Sequence, residues 1–220
     1  SKRADVWGAY ARLMIEGASV REAARQLGIG KDTAFRWRHR ILATLPASTV
    51  PGPTGIVELH ELRLAYSEKG RRRPVTGTAG RAPAAGGARP APAAPARAVW
   101  AVWAVFARDR ARGAAVGIGG LGRLAAPALR QWLLPVLGRR STLVGRPGRF
   151  SAYGVACART SARYRAAWAR AIRREPGGFL LRSTAAARAK ALRFRRWLRR
   201  FRGVATRYLE HYLRWHLALD

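Results

Sequence analysis

The segment TAFRWRHRIL, residues 33–42, puts Arg36, Arg38 and Arg40 and the aromatics Phe35 and Trp37 into one stretch of helical character. Ahead of it, SVREAARQLGIGKD (residues 19–32) reads as helix, tight turn and helix cap. Ser19 is placed to cap the first of these helices, with Glu22 three residues on as in a capping box. Ala23, Ala24 and Leu27 give that helix an apolar face. Gly28 and Gly30 bracket Ile29, which plugs the core at the turn, and Asp32 is the expected cap of the next helix. On that helix Ala34, Trp37 and Ile41 face inward, which leaves Arg36, Arg38, His39 and Arg40 facing outward. Further back, Val6, Tyr10, Leu13 and Met14 recur at helical spacing, and Gly17 ends their helix. Helix, glycine-containing turn and basic second helix define a helix-turn-helix, whose second helix enters the DNA major groove. Lys31, Thr33, Arg36, Arg38, His39 and Arg40 form its expected DNA-facing set. The sequence leaves two roles open for His39: touching phosphate or base, or capping the helix end. Trp37 reads as core rather than as a stacking platform, because such units read grooves and not single strands.

The charge of the whole chain agrees with that reading. Its 220 residues carry 43 Lys and Arg against 11 Asp and Glu, a net charge of +32 and a pI near 12.0. A chain so charged repels itself and calls for a polyanionic partner, for which nucleic acid is the natural class. A codon bias toward Arg, Ala, Gly and Pro raises the basic count but does not explain the scarcity of acids. One cysteine, Cys157, excludes an internal disulfide and a cysteine zinc cluster, and reads as a core residue. The opening SKRADVWGAY lacks an apolar signal core. The run VWAVWAVFA (residues 99–107) is too short to cross a bilayer, and the later run from Gly113 is broken by Arg123 and Arg130. No membrane association and a cytoplasmic location are the resulting expectations.

Along the chain, residues 1–45 read as the helical DNA-binding domain and residues 46–55, around PASTVPGP, as a linker. Residues 56–65 alternate as a strand. Residues 71–97 are a low-complexity segment of Arg, Ala, Pro and Gly, expected to be poorly ordered. Residues 99–107 read as a buried strand. Residues 121–137 read as a helix interrupted by Pro127 and ended near Pro135. Leu143 and Val144 read as a short strand, residues 153–172 as a helix, residues 185–202 as a strongly basic helix stopped by Gly203, and residues 204–219 as a last helix.

Four stretches, taken in order, resemble a group of bacterial insertion-sequence transposases: TAFRWRHRIL, then GIVELHELRLAYSEKG (residues 55–70), ARDRARG (residues 107–113) and WLRRFRGVATRYLEHYLRW (residues 197–215). The last of these is long and specific. The match is poor across residues 71–97 and 146–188. The resemblance implies an α/β fold class: an N-terminal all-α helix-turn-helix, then an RNase H-like domain (residues 56–220, with 71–97 as an insert) with a mixed sheet and flanking helices. It implies a DDE-type enzyme that cuts and joins double-stranded DNA at terminal inverted repeats as a homo-oligomer, using Mg²⁺ or Mn²⁺. Members of the group often carry a zinc ribbon ahead of the helix-turn-helix. This sequence shows none and reads as a truncated or degenerate copy.

Two-metal phosphoryl transfer requires carboxylates converging on ions about 4 Å apart, and Mg²⁺ takes oxygen ligands. The family's first catalytic Asp lies in a Glu-x-Asp-Glu-Thr segment. Here that segment reads Glu58-Leu59-His60-Glu61-Leu62, with His60 at the Asp position. The second Asp falls in LVGRPG (residues 143–148) near Arg146, and the third position falls near Arg188. The chain has no Asn, and beyond Arg110 its only acids are Glu175, Glu210 and Asp220. Glu58, Glu61 and Asp109 are the candidates for a rescue. Glu58 and Glu61, three apart, point to opposite faces of a strand, and Asp109 is expected to pair with Arg108 or Arg110. The acidic triad is therefore not intact, no metal ligand set is assigned, and Mg²⁺ or Mn²⁺ enters only if the chain is active.

In the basic helix, Phe194, Trp197, Leu198 and Phe201 make an apolar stripe. Arg188, Lys190, Arg193, Arg195, Arg196, Arg199, Arg200 and Arg202 cover the other faces. No acid within the helix relieves their repulsion, so a phosphate backbone is the expected partner. His211 and His216, five apart, lack ligand spacing and read as structural.

Overall fold

The computed structural model of the chain describes residues 2–68, 101–139, 141–146, 150–158, 160, 162–166, 184–201 and 203–220. The expected low-complexity insert 71–97, together with Arg202, lies outside them. Three helices come first: α1 (Lys2–Ile15), α2 (Val20–Gln26) and α3 (Lys31–Ala43). Gly17, at φ 89°, follows the end of α1, and Gly28, at φ 63°, turns the chain after α2. There the Ile29 amide donates back to the Ala24 carbonyl, which satisfies an orphan acceptor at the helix end. The Glu22 amide donates to the Ser19 hydroxyl at 3.1 Å, so the predicted N-cap is present. Asp32 does not cap α3. That helix begins two residues earlier than a cap at Asp32 would set it, at Lys31, with Gly30 at the cap position and Asp32 inside the first turn, where its charge complements the helix dipole.

The remainder is one five-stranded mixed sheet: β1 (Ile56–Ala65), β2 (Ala101–Arg108), β3 (Ala114–Leu121), β4 (Thr142–Gly145) and β5 (Arg163–Ala166). Their order is β3-β2-β1-β4-β5, with β1–β2 and β2–β3 antiparallel and β1–β4 and β4–β5 parallel. Helices α4 (Ala126–Trp132) and α5 (Phe150–Cys157) cover one face, and α6 (Ala185–Leu198) and α7 (Leu209–Leu219) cover the other. The fold class is thus α/β: a helical helix-turn-helix region followed by a mixed sheet with flanking helices. The linker is not loose. The Thr49 amide donates to the Ala114 carbonyl and the Val116 amide to the Ala47 carbonyl, both at 2.8 Å. This covers part of the edge of β3, a location that would otherwise present unpaired groups.

Two expectations fail here. The helix expected over residues 121–137 begins too early, since Leu121 closes β3 and α4 starts only at Ala126. Strand β3, AAVGIGGL, carries few β-formers because its glycines admit neighbours. A Cβ on Gly117 would lie 2.5 Å from the Trp132 ring, and Gly120 sits at φ 149°. The helix expected over residues 153–172 also breaks, since α5 ends at Cys157 and β5 follows. Its expected portion beyond 166 lies outside the described residues.

The sheet separates two cores. Val57, Leu59, Val105 and Ala107 pack with Leu129, Leu133 and Tyr153 on the α4–α5 face. Leu62, Val102, Ala104 and Phe106 pack with Phe194, Leu213 and Trp215 on the other face, and that cluster continues into Tyr10, Met14, Ala34 and Leu42 of the helix-turn-helix. The apolar stripe of the basic helix joins it as expected, with Phe194 buried and Trp197, Leu198 and Phe201 packed alongside. The helix-turn-helix is therefore seated on the α6–α7 face of the sheet. Among the described residues, no helix is long and apolar enough to cross a membrane.

Candidate nucleic-acid interface

Helix α3 contacts α7 along one side, and this decides which of its residues reach solvent. Lys31, Arg36 and Arg40 are exposed, and Thr33 is half-buried. Arg36 and Arg40, one turn apart, form a basic ridge on the open face. Trp37 packs inward as expected, stacked on Trp7 with ring centroids 4.9 Å apart. Arg38 and His39 correct the sequence reading, because both are buried. Arg38 donates to the Ala18 carbonyl at 2.7 Å and lies 5.3 Å from the centroid of the Trp215 ring. His39 stacks on Tyr208 at 3.9 Å and shares an Nδ1···Nδ1 hydrogen bond of 3.0 Å with His211. Their side chains mortise α3 onto α7 and lie out of reach of a groove. Sequence periodicity showed these residues opposite the α1–α2 core, but not that α7 packs on that second side.

Helix α6 shows the same division. Arg188, Arg193, Arg195, Arg196, Arg199 and Arg200 are exposed along α6 and the short turn that follows it. Lys190 is buried and salt-bridged to Asp220 at 2.5 Å, which removes it from the expected DNA-facing set. Arg193 donates to the same carboxylate at 2.8 and 2.9 Å. The acid that the helix lacks in its own sequence thus comes from Asp220, the residue that follows α7.

His60, Arg146 and Arg188, the positions that the sequence resemblance aligns with acids, lie within electrostatic reach, since the charges of both arginines act on His60. His60 lies on β1, on the face that α6 covers. The parallel register pairs Glu58 with Val144, and Arg146, just past the end of β4, lies close enough for its charge to act on His60. Glu58 Oε2 accepts the Ala186 amide at 2.8 Å and the Ala187 amide at 3.3 Å, which anchors the first turn of α6 and brings Arg188 to the same place. Burial, then the charges of Arg146 and Arg188, push the His60 imidazole down to about 4. Its Nδ1 is buried without a hydrogen-bond partner.

Of the rescue carboxylates, Glu58 alone lies on this face of β1, and it is taken up by the amides of α6. Glu58 is engaged as the cap of α6. Glu61 points to the opposite face, as its spacing requires, and accepts the Tyr153 hydroxyl at 2.9 Å. Asp109 is buried at the end of β2 and accepts the Thr54 amide at 2.9 Å, tying the linker to the sheet. A divalent ion of the magnesium type needs several oxygen donors. A neutral imidazole offers nitrogen rather than oxygen, and the two guanidinium groups repel the cation, so this set does not fit it. Among the described residues, no three His, Cys, Asp or Glu side chains cluster as a metal site. Arg108, which the sequence offers only as a partner for Asp109, stands opposite Glu58 across the β1–β2 pair. Only the register reveals it.

The buried imidazoles set a pH dependence. Burial pushes His39, His60 and His216 down to about 4 from an ordinary value of 6.5. The unfolded chain therefore binds protons that the folded chain refuses, and stability present above pH 6.5 is lost as pH falls from about 6.5 to about 4. Asp220 acts in the same direction at lower pH. Burial raises its carboxyl, but hydrogen bonds from Arg193 and Lys190 outweigh that and hold it well below the usual range. The denaturation midpoint is expected to fall between pH 7 and pH 4.5, with those three imidazole signals titrating below pH 5. Ordinary titration near 6.5 in the folded chain would contradict the buried, neutral rings.

Residues 2–44 match the family described as a homeodomain-like domain. A helix-turn-helix of this family points to DNA binding. No curated protein and no solved structure matches the chain.

Proposed function

We propose that this chain is a transposase-like DNA-binding protein of an insertion sequence that recognises the element's terminal inverted repeats and has lost the carboxylates that would cut them. In this reading, residues 1–45 are the recognition domain, residues 46–55 the linker, and residues 56–220 an RNase H-like domain with residues 71–97 as its insert. The protein works in the cytoplasm and assembles as a homo-oligomer on DNA. What supports the reading is the homeodomain-like unit with its exposed basic ridge, together with His60 under the charges of Arg146 and Arg188, at positions that the sequence resemblance aligns with metal-binding acids. Lys31, Thr33, Arg36 and Arg40 contact the groove and its flanking phosphates. Arg188, Arg193, Arg195, Arg196, Arg199 and Arg200 hold the backbone.

A strand-transfer assay tests the catalytic half of this reading. Purified chain and duplexes carrying the DNA that flanks its coding sequence are incubated with Mg²⁺ or Mn²⁺. Bound but uncut DNA is expected. Joined product that disappears in Glu61→Ala would instead establish an active transposase with divergent ligands.

A further inference from the structure

We infer that Arg207 is a further DNA contact, a clamp on a backbone phosphate at the rim of the groove that α3 enters, seated there by the ring of Tyr208. The inference rests on the proposed DNA-binding function and deepens it, because the surface that grips the duplex then takes a residue from the approach to α7, far along the chain from the helix-turn-helix.

Ring contacts build the site. Tyr208 closes the short turn Thr206–Tyr208 that leads into α7. Its ring stacks on His39 of α3 with centroids 3.9 Å apart. It also meets Phe35, one turn earlier on α3, edge-on at 5.5 Å. His39 is three residues from Arg36, so the two are neighbours on the helix surface. Tyr208 therefore covers the flank of α3 next to the Arg36–Arg40 ridge. The Arg207 Cζ lies 4.7 Å from the centroid of the Tyr208 ring, a cation–π contact. From there its charge acts on His39.

Arg207 is exposed, and among the described residues it forms no salt bridge. Glu210, three residues on, pairs instead with Arg214, and Glu68 accepts the Tyr66 hydroxyl at 2.9 Å. A helix with its side chains is about 10–12 Å across and the major groove is about 12 Å wide. A helix lying in the groove fills it, so groups seated beside its flank meet the phosphates at the rim. A guanidinium presents forked N–H donors to phosphate oxygens while its flat face rests on an aromatic ring. Resting on the ring also restricts the side chain before DNA arrives, which lowers the ordering cost of binding. Duplex DNA is the partner favoured here, because the neighbouring ridge of Arg36 and Arg40 belongs to a groove-reading unit.

The test uses the full chain with two labelled duplexes, one carrying the DNA that flanks its coding sequence and one of random sequence, and reads affinity by anisotropy across a salt series. Each phosphate contact contributes about 0.9 to the slope of log affinity against log salt. Arg207→Ala is expected to reduce the slope by about that amount on both duplexes and to leave the ratio of their affinities at the wild-type value, since a phosphate contact carries no sequence preference. Arg207→Lys keeps the charge and is expected to keep the slope. Arg123→Ala, which removes an exposed charge elsewhere, is expected to leave the slope unchanged and so controls for net charge. Phosphate ethylation interference on the flanking duplex then places the contact. The phosphate whose ethylation no longer matters in Arg207→Ala is expected to border the bases whose identity no longer matters in Arg36→Ala/Arg40→Ala. A wild-type slope in Arg207→Ala, or a lost phosphate contact remote from those bases, overturns this inference alone. A wild-type chain that binds neither duplex overturns both this inference and the proposed function.

Discussion

Replacing Phe194 with alanine is expected to cost about 3–5 kcal/mol of folding stability, the range for truncating a buried phenylalanine. Phe194 is fully buried where α6 meets the sheet and α7. Its ring centroid lies 5.5 Å from that of Phe106 on β2, 6.1 Å from Trp197 and 5.4 Å from His216. Such a site cannot collapse freely, because strand and helix backbones fix the wall, so most of the cavity persists. Leu192, two residues earlier and 45% exposed, is the internal control, and Leu192→Ala is expected to change stability by no more than about 0.5 kcal/mol. Urea unfolding of both variants decides the matter. A loss below about 1 kcal/mol for Phe194→Ala would show that the aromatic cluster does not hold α6 in place. Since the same cluster runs into the helix-turn-helix core, the variant is also expected to loosen the seating of α3.

The second large effect is on binding. Arg36→Ala/Arg40→Ala is expected to weaken binding to the element ends by about 30-fold or more. Two base-edge contacts at about 1 kcal/mol each already give that factor, and good bidentate pairs reach about 3 kcal/mol. Both residues are exposed on α3, whereas the neighbouring Arg38 and His39 are buried against α7 and its approach. The loss should be greater for element ends than for random duplex, because base contacts carry the sequence preference and phosphate contacts do not. Equal affinity of the double variant and wild type for the ends would remove α3 as the reading helix.

Local signals were the readable part of this chain. The cap at Ser19, the turn at Gly28 and the alternation over residues 56–65 were each legible from a few neighbouring residues, because each is settled by backbone geometry within one or two turns. Strand β3 was not legible, since its glycines are dictated by Trp132 and by a turn, which are tertiary facts. The same limit applies to the interface. The charge pattern marked out α3 and α6 correctly as basic helices, yet Arg38, His39 and Lys190 are buried by contact with α7 or by Asp220. Nothing within either helix foretells those partners. Likeness to transposase motifs points to His60, Arg146 and Arg188, whereas the electrostatic reach of both arginines to His60 depends on tertiary packing.

A protein that has lost its metal-binding carboxylates should grip duplex DNA with no divalent metal. Anisotropy of a labelled duplex bearing the flanking repeat, measured with the full chain in EDTA and repeated with Mg²⁺, gives the answer. The predicted result is tight binding in EDTA that weakens steeply with salt, favours the repeat over random duplex and gains nothing from the metal. Binding that appears only when Mg²⁺ is added, or that shows no preference for the repeat, would contradict it.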